Sequence, residues 1–300
     1  MIISMTMMQS ALILLLMLPL IYAPAPNVEQ YCDTNENNSN SNNKHNFLKP
    51  SLSSLSSLSL SSLSSLSSND NNHCNIPIVY ITNDSIIDPL PEYPVIYKYN
   101  TIRNSAINKL LQRDFLLKNY GHVNISLTSS NTYSHGFKVL TVNEYINNIV
   151  DNNDTNSHSN ETYYFFGGNY DGLWKEIASL YESNVCKGCT KAGAVTLGIG
   201  GMNSGVAFHF HGPGFSESII GSKRWFLYPP NKEYPEIDPN ITVADWVKFH
   251  YDDWRKLSDS YECIIRPNEV LFFPSNWMHA TLNLDKYNAF VSLFLDVGLI

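Results

Sequence analysis

The sequence predicts a mainly β domain with flanking helices, arranged as a barrel or a sandwich. Strand patterns separated by turn residues follow one another after Ala192, with a single helical stretch among them, whereas helices and strands alternate before it. Many short strands with one helical insertion are typical of barrels and sandwiches, not of a doubly wound parallel sheet. The predicted strands after Ala192 cover residues 195–199, 206–211, 218–228, 262–266, 269–273, 279–284 and 289–295.

Helix start and stop signals define the elements before this β block. Residues 101–120 place apolar side chains at helical spacing and stop at Gly121, a common residue after a helix end. Thr141 and Glu144 form a capping-box pattern, which predicts a helix through Val150. The remaining predictions are strands over 123–127 and 163–166, a helix capped by Asp171, and a helix over 242–257 inside the β block.

The N-terminus predicts a processed leader. Ala11 to Ala23 is an almost continuous apolar run, and Ala23-Pro24-Ala25 has the small-x-small pattern of a cleavage site. The run is shorter than the ~20 residues that a membrane-spanning helix needs. We therefore expect a signal peptide over 1–25 and no membrane span in the mature chain. An uncleaved anchor is the alternative, because no Lys or Arg precedes the run.

Residues 26–75 predict a disordered linker. This segment is first rich in Asn, and its Ser-Leu-Ser repeat over 51–68 lacks the aromatic and β-branched side chains that offset the entropy of ordering. The remaining residues, 76–300, are numerous enough for one substantial core and are expected to form a single domain.

Charge, cysteines and sequons indicate the compartment. The net charge of −8 argues against a non-specific nucleic-acid binder. Cys186 and Cys189 form a CxxC that fits a local disulfide or plain loop cysteines, half of a metal site, or a redox pair, and the pairing of the five cysteines stays open. Glycosylation in the secretory pathway is predicted at sequons outside the polar tracts, at Asn83, Asn124, Asn160 and Asn240.

Three histidines carry the candidate chemistry. His209 and His211 lie two apart in a predicted strand, so their side chains would share one face. His279 follows a tight turn farther along the chain. Three imidazoles that converge inside a barrel form a metal site with open coordination positions. The alternative for each is a hydrogen-bonded core histidine.

The stretches GVAFHFHGPG, GSKRWFLYPP and NEVLFFPSNWMHATLNL resemble the jumonji C (cupin-8 type) domain. The resemblance implies a double-stranded β-helix, the cupin or jelly-roll barrel, with an N-terminal α/β portion and a barrel core at about 192–298. Asn268 and Asn276 stand where the family usually has glycines. From about residue 100 onward the chain is similar to a branch of the family from the lumen of the endoplasmic reticulum. That similarity implies this compartment, with secretion as the alternative.

The resemblance also implies Fe(II) and 2-oxoglutarate as cofactors. Active members hold Fe(II) with a His-x-Asp/Glu…His triad, and here His209 and His279 take the two histidine positions. His211 takes the position of the carboxylate, which departs from the pattern. Lys223 matches the lysine that pairs with the distal carboxylate of 2-oxoglutarate. A third imidazole makes the site more positive and softer, so zinc, or no metal, is the alternative to iron.

Glu217 is a further candidate ligand. Glu217 shares parity with Lys223 on one predicted strand (217, 219, 221, 223), so we expect both side chains to point into the barrel. The alternative is an ion pair between Glu217 and either Lys223 or Arg224.

Two functional hypotheses follow. The departed triad favours a non-catalytic or non-standard regulatory or binding module of the secretory pathway with a protein partner, and no catalytic residue is assigned. The alternative is an Fe(II)- and 2-oxoglutarate-dependent hydroxylase with a protein substrate. The chain ends directly after the last predicted strand, without the C-terminal helices with which some relatives dimerise, so we expect a monomer.

Overall fold

A computed structural model describes residues 74–129, 137–151, 163–166, 172–183, 194–230, 232, 237–238 and 241–295. In these ranges the strands are β1 (Ile78–Ile81), β2 (Val95–Tyr99), β3 (Asn124–Ser129), β4 (Phe137–Thr141), β5 (Tyr163–Phe166), β6 (Ala194–Gly200), β7 (Gly205–His209), β8 (Gly214–Ile220), β9 (Lys223–Tyr228), β10 (Tyr261–Ile265), β11 (Glu269–Phe273), β12 (Met278–Asn283) and β13 (Asn288–Phe294). The helices are α1 (Ser105–Leu111), α2 (Arg113–Tyr120), α3 (Val142–Tyr145) with its π-helical continuation Ile146–Val150, α4 (Gly172–Ala178) and α5 (Val243–Trp254).

The chain from β6 to β13 passes between two sheets, and this alternation builds the barrel. One sheet contains the order β11-β8-β13-β6, and the other has the order β10-β9-β12-β7. The sheets pack face to face: Leu271 and Phe273 of β11 share a buried cluster with Trp225 and Leu227 of β9. Antiparallel strands that alternate between two facing sheets define the jelly roll. The predicted double-stranded β-helix is therefore confirmed.

The first barrel sheet is extended on both sides. β1 and β2 add to the edge of β11, and β5, β3 and β4 add to the edge of β6. β1, β2 and β4 had no strand prediction. Helices α1 to α4 cover the outer face of this sheet, where Ile107, Leu116, Tyr145 and Trp174 join Val291 of β13 in one buried cluster.

Helix α5 covers the outer face of the second barrel sheet. Trp246 and Trp254 pack their rings edge-on against Phe226 of β9. Thr242 caps the helix, and its side chain accepts a hydrogen bond from the Asp245 N–H at 3.1 Å. The predicted helix over 242–257 therefore exists, with a C-terminus three residues earlier than predicted.

The predicted helix over 101–120 is wrong as one element. It breaks at Gln112, whose ψ of 131° is extended, and α2 starts afresh after it. Ile107, Leu111 and Leu116 are all fully buried. At about 100° per residue, a continuous helix would place Ile107 and Leu116 on opposite faces. The break turns both side chains toward the same core.

The capping box that begins the next helix is confirmed. The Thr141 hydroxyl accepts from the Glu144 N–H at 3.2 Å, and the Glu144 carboxylate accepts from the Thr141 N–H at 2.8 Å. Sequence reasoning placed the end of this element at Val150, where the π-helical continuation ends.

A disulfide joins Cys74 to Cys263. It ties the segment before β1 to β10, and it answers part of the open question of cysteine pairing. The predicted linker ends too late, because Cys74 and Asn75 are ordered and bound to β10 and its preceding turn. Several predictions lie outside the described residues: the signal peptide, the linker up to residue 73, the Cys186–Cys189 pair, the Asp171 cap, Asn160 and Asn240. None of the helices that the structure describes is long and apolar enough to cross a bilayer.

Candidate metal centre

Three histidines meet inside the barrel. His209 is the last residue of β7 and lies opposite His279 on the antiparallel β12. The predicted strand over 206–211 included His211, but β7 ends at His209, so His211 lies just after the strand. The centroid of the His279 ring lies 4.3 Å from that of the His209 ring and 4.8 Å from that of the His211 ring. Within the described residues, these three side chains form a group whose ligand atoms all lie within 4.8 Å of one another.

A backbone carbonyl fixes the tautomer of each ring. The Nδ1 atoms of His209, His211 and His279 lie 2.7, 2.7 and 2.8 Å from the carbonyl oxygens of Ala207, Gly212 and Trp277. A carbonyl only accepts, so each Nδ1 must carry the proton and donate. Each Nε2 therefore keeps its lone pair. Metal-binding histidines are oriented by this kind of hydrogen bond.

The environment keeps all three rings neutral. Burial, with a smaller effect of His211, lowers the pKa of His209 to about 4. Burial also lowers the pKa of His211, and it lowers that of His279 well below the ordinary value, with further lowering by the two neighbouring rings. Neutral imidazole is the form that binds metal, so the cluster presents three neutral donors at neutral pH.

The turn between β11 and β12 supports His211. The Asn276 N–H donates to the carbonyl of His211 at 2.9 Å. Asn276 has a φ of 63°, and Asn268 in the preceding turn has a φ of 70°. This left-handed region favours glycine and, after it, asparagine. The two asparagines therefore adopt a backbone conformation that glycine favours.

Aromatic rings surround the histidines. Phe273 lies 4.7 Å from His279, and Trp225 lies 5.7 Å from the same ring. Phe294 meets His211 edge-on at 5.0 Å. These apolar walls cause the desolvation that lowers the three histidine pKa values.

Glu217 lies away from the histidines, so its prediction as a metal ligand is wrong. The predicted strand over 218–228 is in fact two strands, β8 and β9, separated by Gly221 with a φ of 75°. Glu217 therefore shares no strand with Lys223. Phe215, which shares its face of β8, packs in a cluster with Tyr97 of β2 on the outer side of the sheet.

The predicted alternative partners of Glu217 are also wrong. Its carboxylate lies 3.4 Å from the Arg103 guanidinium and accepts from the Asn104 amide at 3.0 Å. Burial raises the pKa of Glu217, and Arg103 opposes that shift. Arg224 pairs instead with Glu262.

Lys223 lies inside the barrel, surrounded by neutral groups. Its ammonium donates to the Tyr164 hydroxyl at 2.6 Å and to the Asn283 side-chain oxygen at 3.3 Å. It also stands 3.6 Å from the centre of the Phe290 ring. Burial lowers the pKa of Lys223 well below its ordinary value.

Sequence reasoning missed Tyr164 and Phe290 as members of this lysine environment. Asn283 shares strand parity with His279 on β12, a signal that pointed into the barrel. Tyr164 and Phe290 come from β5 and β13, distant in sequence, and no local pattern connects them to Lys223.

The two expected cofactors fit unequally. Three neutral imidazoles with free Nε2 lone pairs suit zinc or iron. By contrast, the Lys223 ammonium already donates to Tyr164 and Asn283 and lies against the Phe290 ring. The distal carboxylate of 2-oxoglutarate would have to displace these partners.

The barrel topology and the histidine cluster together define a cupin-type protein with a candidate metal site. Residues 89–296 match the Cupin-like domain family, and the chain belongs to this family. Human JmjC domain-containing protein 8 is 43% identical over 192 residues, which cover 64% of this chain and 72% of that protein. The mouse JmjC domain-containing protein 8 is 42% identical over 64% of this chain and 71% of its own length.

A shorter stretch matches a relative whose name describes chemistry. Mouse 2-oxoglutarate and iron-dependent oxygenase JMJD4 is 31% identical over 78 residues, which cover 24% of this chain and 18% of that protein. The resemblance to the jumonji C family is thus confirmed.

Proposed function

We propose that this protein is a metal-binding jumonji C module of the secretory pathway that binds or regulates a protein partner and does not act as a standard 2-oxoglutarate oxygenase. The observation that carries the proposal is the donor set, in which His209, His211 and His279 are all neutral and no carboxylate joins them within the described residues. Such a set holds a divalent ion without neutralising it.

The chain's own residues account for how such an ion would be held. The Nε2 atoms of the three histidines are its ligands, and the carbonyls that bind each Nδ1 keep the rings oriented. A bound divalent cation supplies a Lewis-acidic, positively charged anchor. A partner with an anionic group matches such a site.

The proposed compartment is the lumen of the endoplasmic reticulum, with secretion as the alternative. The Cys74–Cys263 disulfide supports an oxidising compartment. The sequon residues Asn83 and Asn124 are both exposed, as acceptors of a glycan must be. Endoglycosidase H should shift the mass of the protein purified from animal cells. An unshifted mass in wild type and in Asn83→Gln alike would contradict glycosylation at this site.

The alternative function is an Fe(II)- and 2-oxoglutarate-dependent protein hydroxylase. The name of the mouse relative and the position of Lys223 inside the barrel support it. The imidazole of His211 in the place of the carboxylate opposes it, and so does the ring of Phe290 against Lys223.

Metal content and turnover of the full chain test the proposal. We expect about one equivalent of zinc or iron, lost in His279→Ala and kept in His250→Ala, a control at an exposed histidine of α5. Loss of one ligand should weaken metal binding at least ~100-fold, since loss of an outer-shell partner alone costs ~10–100-fold. We expect no succinate from 2-oxoglutarate with Fe(II). Succinate formation by the wild type would establish the alternative, and equal metal content in both variants would refute the histidine site.

A further inference from the structure

The ammonium of Lys223 is enclosed by the protein itself. The side chain is 2% exposed, and the hydroxyl of Tyr164 and the amide oxygen of Asn283 accept two of its hydrogen bonds. The face of the Phe290 ring lies 3.6 Å from the nitrogen, a distance at which the π-system attracts a cation. In the described part of the chain, no carboxylate contacts this ammonium.

The Phe290 ring is held in place from several sides. It stacks on Tyr164 at 5.8 Å with an interplanar angle of 24°, and it contacts Phe166 at 5.5 Å. On the neighbouring strand β6, Gly198 lies so close that an added Cβ would collide with the ring. A well-packed ring with no room behind it resists displacement.

Phe290 and the histidines lie along one barrel interior. Phe290 and Phe294 share a face of β13, and Phe294 contacts His211. On β12, Asn283 beside Lys223 and His279 share a face four residues apart, about 13 Å along the strand. A ligand that joins the metal to Lys223 would run along this interior and meet the Phe290 ring where it lies against the ammonium.

We infer that Phe290 is a specificity-determining residue that closes the lysine end of the barrel to dicarboxylates, so that ligands reach only the histidine end. The inference rests on the proposed function, since it explains why a barrel with the family's lysine would not take up 2-oxoglutarate. It predicts that the metal centre accepts monocarboxylates and other short ligands, whose binding needs no second carboxylate partner.

Calorimetric titration of the zinc-loaded full chain tests this inference. We expect 2-oxoglutarate to bind Phe290→Ala at least about tenfold more tightly than it binds the wild type. Pyruvate, a 2-oxo monocarboxylate, should bind both proteins equally. The matched control is Phe215→Ala, which removes a buried phenyl ring from β8 in the outer cluster, away from Lys223. Adding Lys223→Met to Phe290→Ala should abolish the gain.

Equal 2-oxoglutarate affinity in wild type and in a folded Phe290→Ala protein would overturn the inference. If Phe290→Ala does not fold, Phe290→Leu keeps most of the core volume, removes the π face and is judged by the same criterion. Zinc content, measured separately in each protein, separates the two proposals. If Phe290→Ala gained affinity for 2-oxoglutarate through Lys223 while the proteins bound no zinc, only the proposed metal module would be refuted. If the proteins bound zinc and the wild type already bound 2-oxoglutarate at Lys223, only the role of Phe290 would be refuted.

Discussion

The two ends of the barrel interior carry matching residues of the family but differ in what they leave free. At the histidine end, backbone carbonyls engage every Nδ1 and leave three Nε2 lone pairs for an external ion. At the lysine end, side chains of the protein engage the ammonium of Lys223. At the histidine end, the three Nε2 atoms need a partner that only a ligand supplies. At the lysine end, the ammonium already has its partners within the protein.

Motif residues within one barrel therefore need not keep or lose a function together. The histidine end needs only three side chains and their carbonyls, all within β7, β12 and the adjoining turns. The lysine end depends on Tyr164 and Phe290, which come from other strands. A substitution on β13 is therefore able to close one end without touching the other.

The two ends would no longer differ in this way if a carboxylate belonged to the histidine end, and Glu217 is the residue to test. Glu217→Gln should leave the buried guanidinium of Arg103 without its counter-charge, which costs about 3 to 5 kcal/mol in unfolding free energy. Metal content should stay unchanged, because Glu217 lies on the outer face of β8. Urea unfolding and metal analysis of the full chain measure the two quantities.

Glu269→Gln is the matched control for this substitution. Its partner Lys98 is 44% exposed, so the pair is screened by solvent and its loss should cost under about 1 kcal/mol. Metal loss in Glu217→Gln alone would return that carboxylate to the histidine end and contradict its placement outside the barrel.

The charge of Lys223 is a second property that distinguishes the lysine end. Because burial lowers its folded-state pKa, the unfolded chain binds more protons between that value and about 10.4, the pKa of an ordinary lysine. Stability must then rise with pH in this window, by up to about 1.4 kcal/mol per unit. From pH 7.5 to 9.5, wild type should gain stability relative to Lys223→Met. Parallel stability curves for the two proteins would mean that the lysine end keeps its charge.

Local patterns predicted the parts of the barrel that local physics determines. The strand limits over 163–166 and 269–273 agree with β5 and β11, because turn residues bound these runs. The convergence of His209, His211 and His279 followed from strand parity and a turn, together with the family resemblance.

The rest depends on contacts between distant segments. The face of Glu217 was misjudged because Gly221 breaks the strand and begins a new one, which resets the alternation. The helix breaks at Gln112 because Ile107 and Leu116 must both pack in one core. The neutral surroundings of Lys223 combine β5, β12 and β13, a pairing that no window of sequence contains.

The smallest expected effect concerns the turn that carries the histidine end. Asn276 holds a φ of 63° while its N–H binds the carbonyl of His211. Asn276→Ala should cost about 1 to 2 kcal/mol, because an ordinary side chain is strained in the left-handed region. Asn276→Gly should match or exceed wild type in stability, since glycine adopts this conformation without strain. Thermal unfolding compares the three proteins.

The same pair of variants asks whether the turn positions His211 or only stabilises the fold. If it positions the ring, metal affinity should fall in Asn276→Ala and stay at the wild-type level in Asn276→Gly, which keeps the backbone hydrogen bond. Unchanged affinity in Asn276→Ala would limit the turn to a role in stability. The histidine end would then owe its geometry to β7 and β12 alone, a simpler origin than the multi-strand closure of the lysine end.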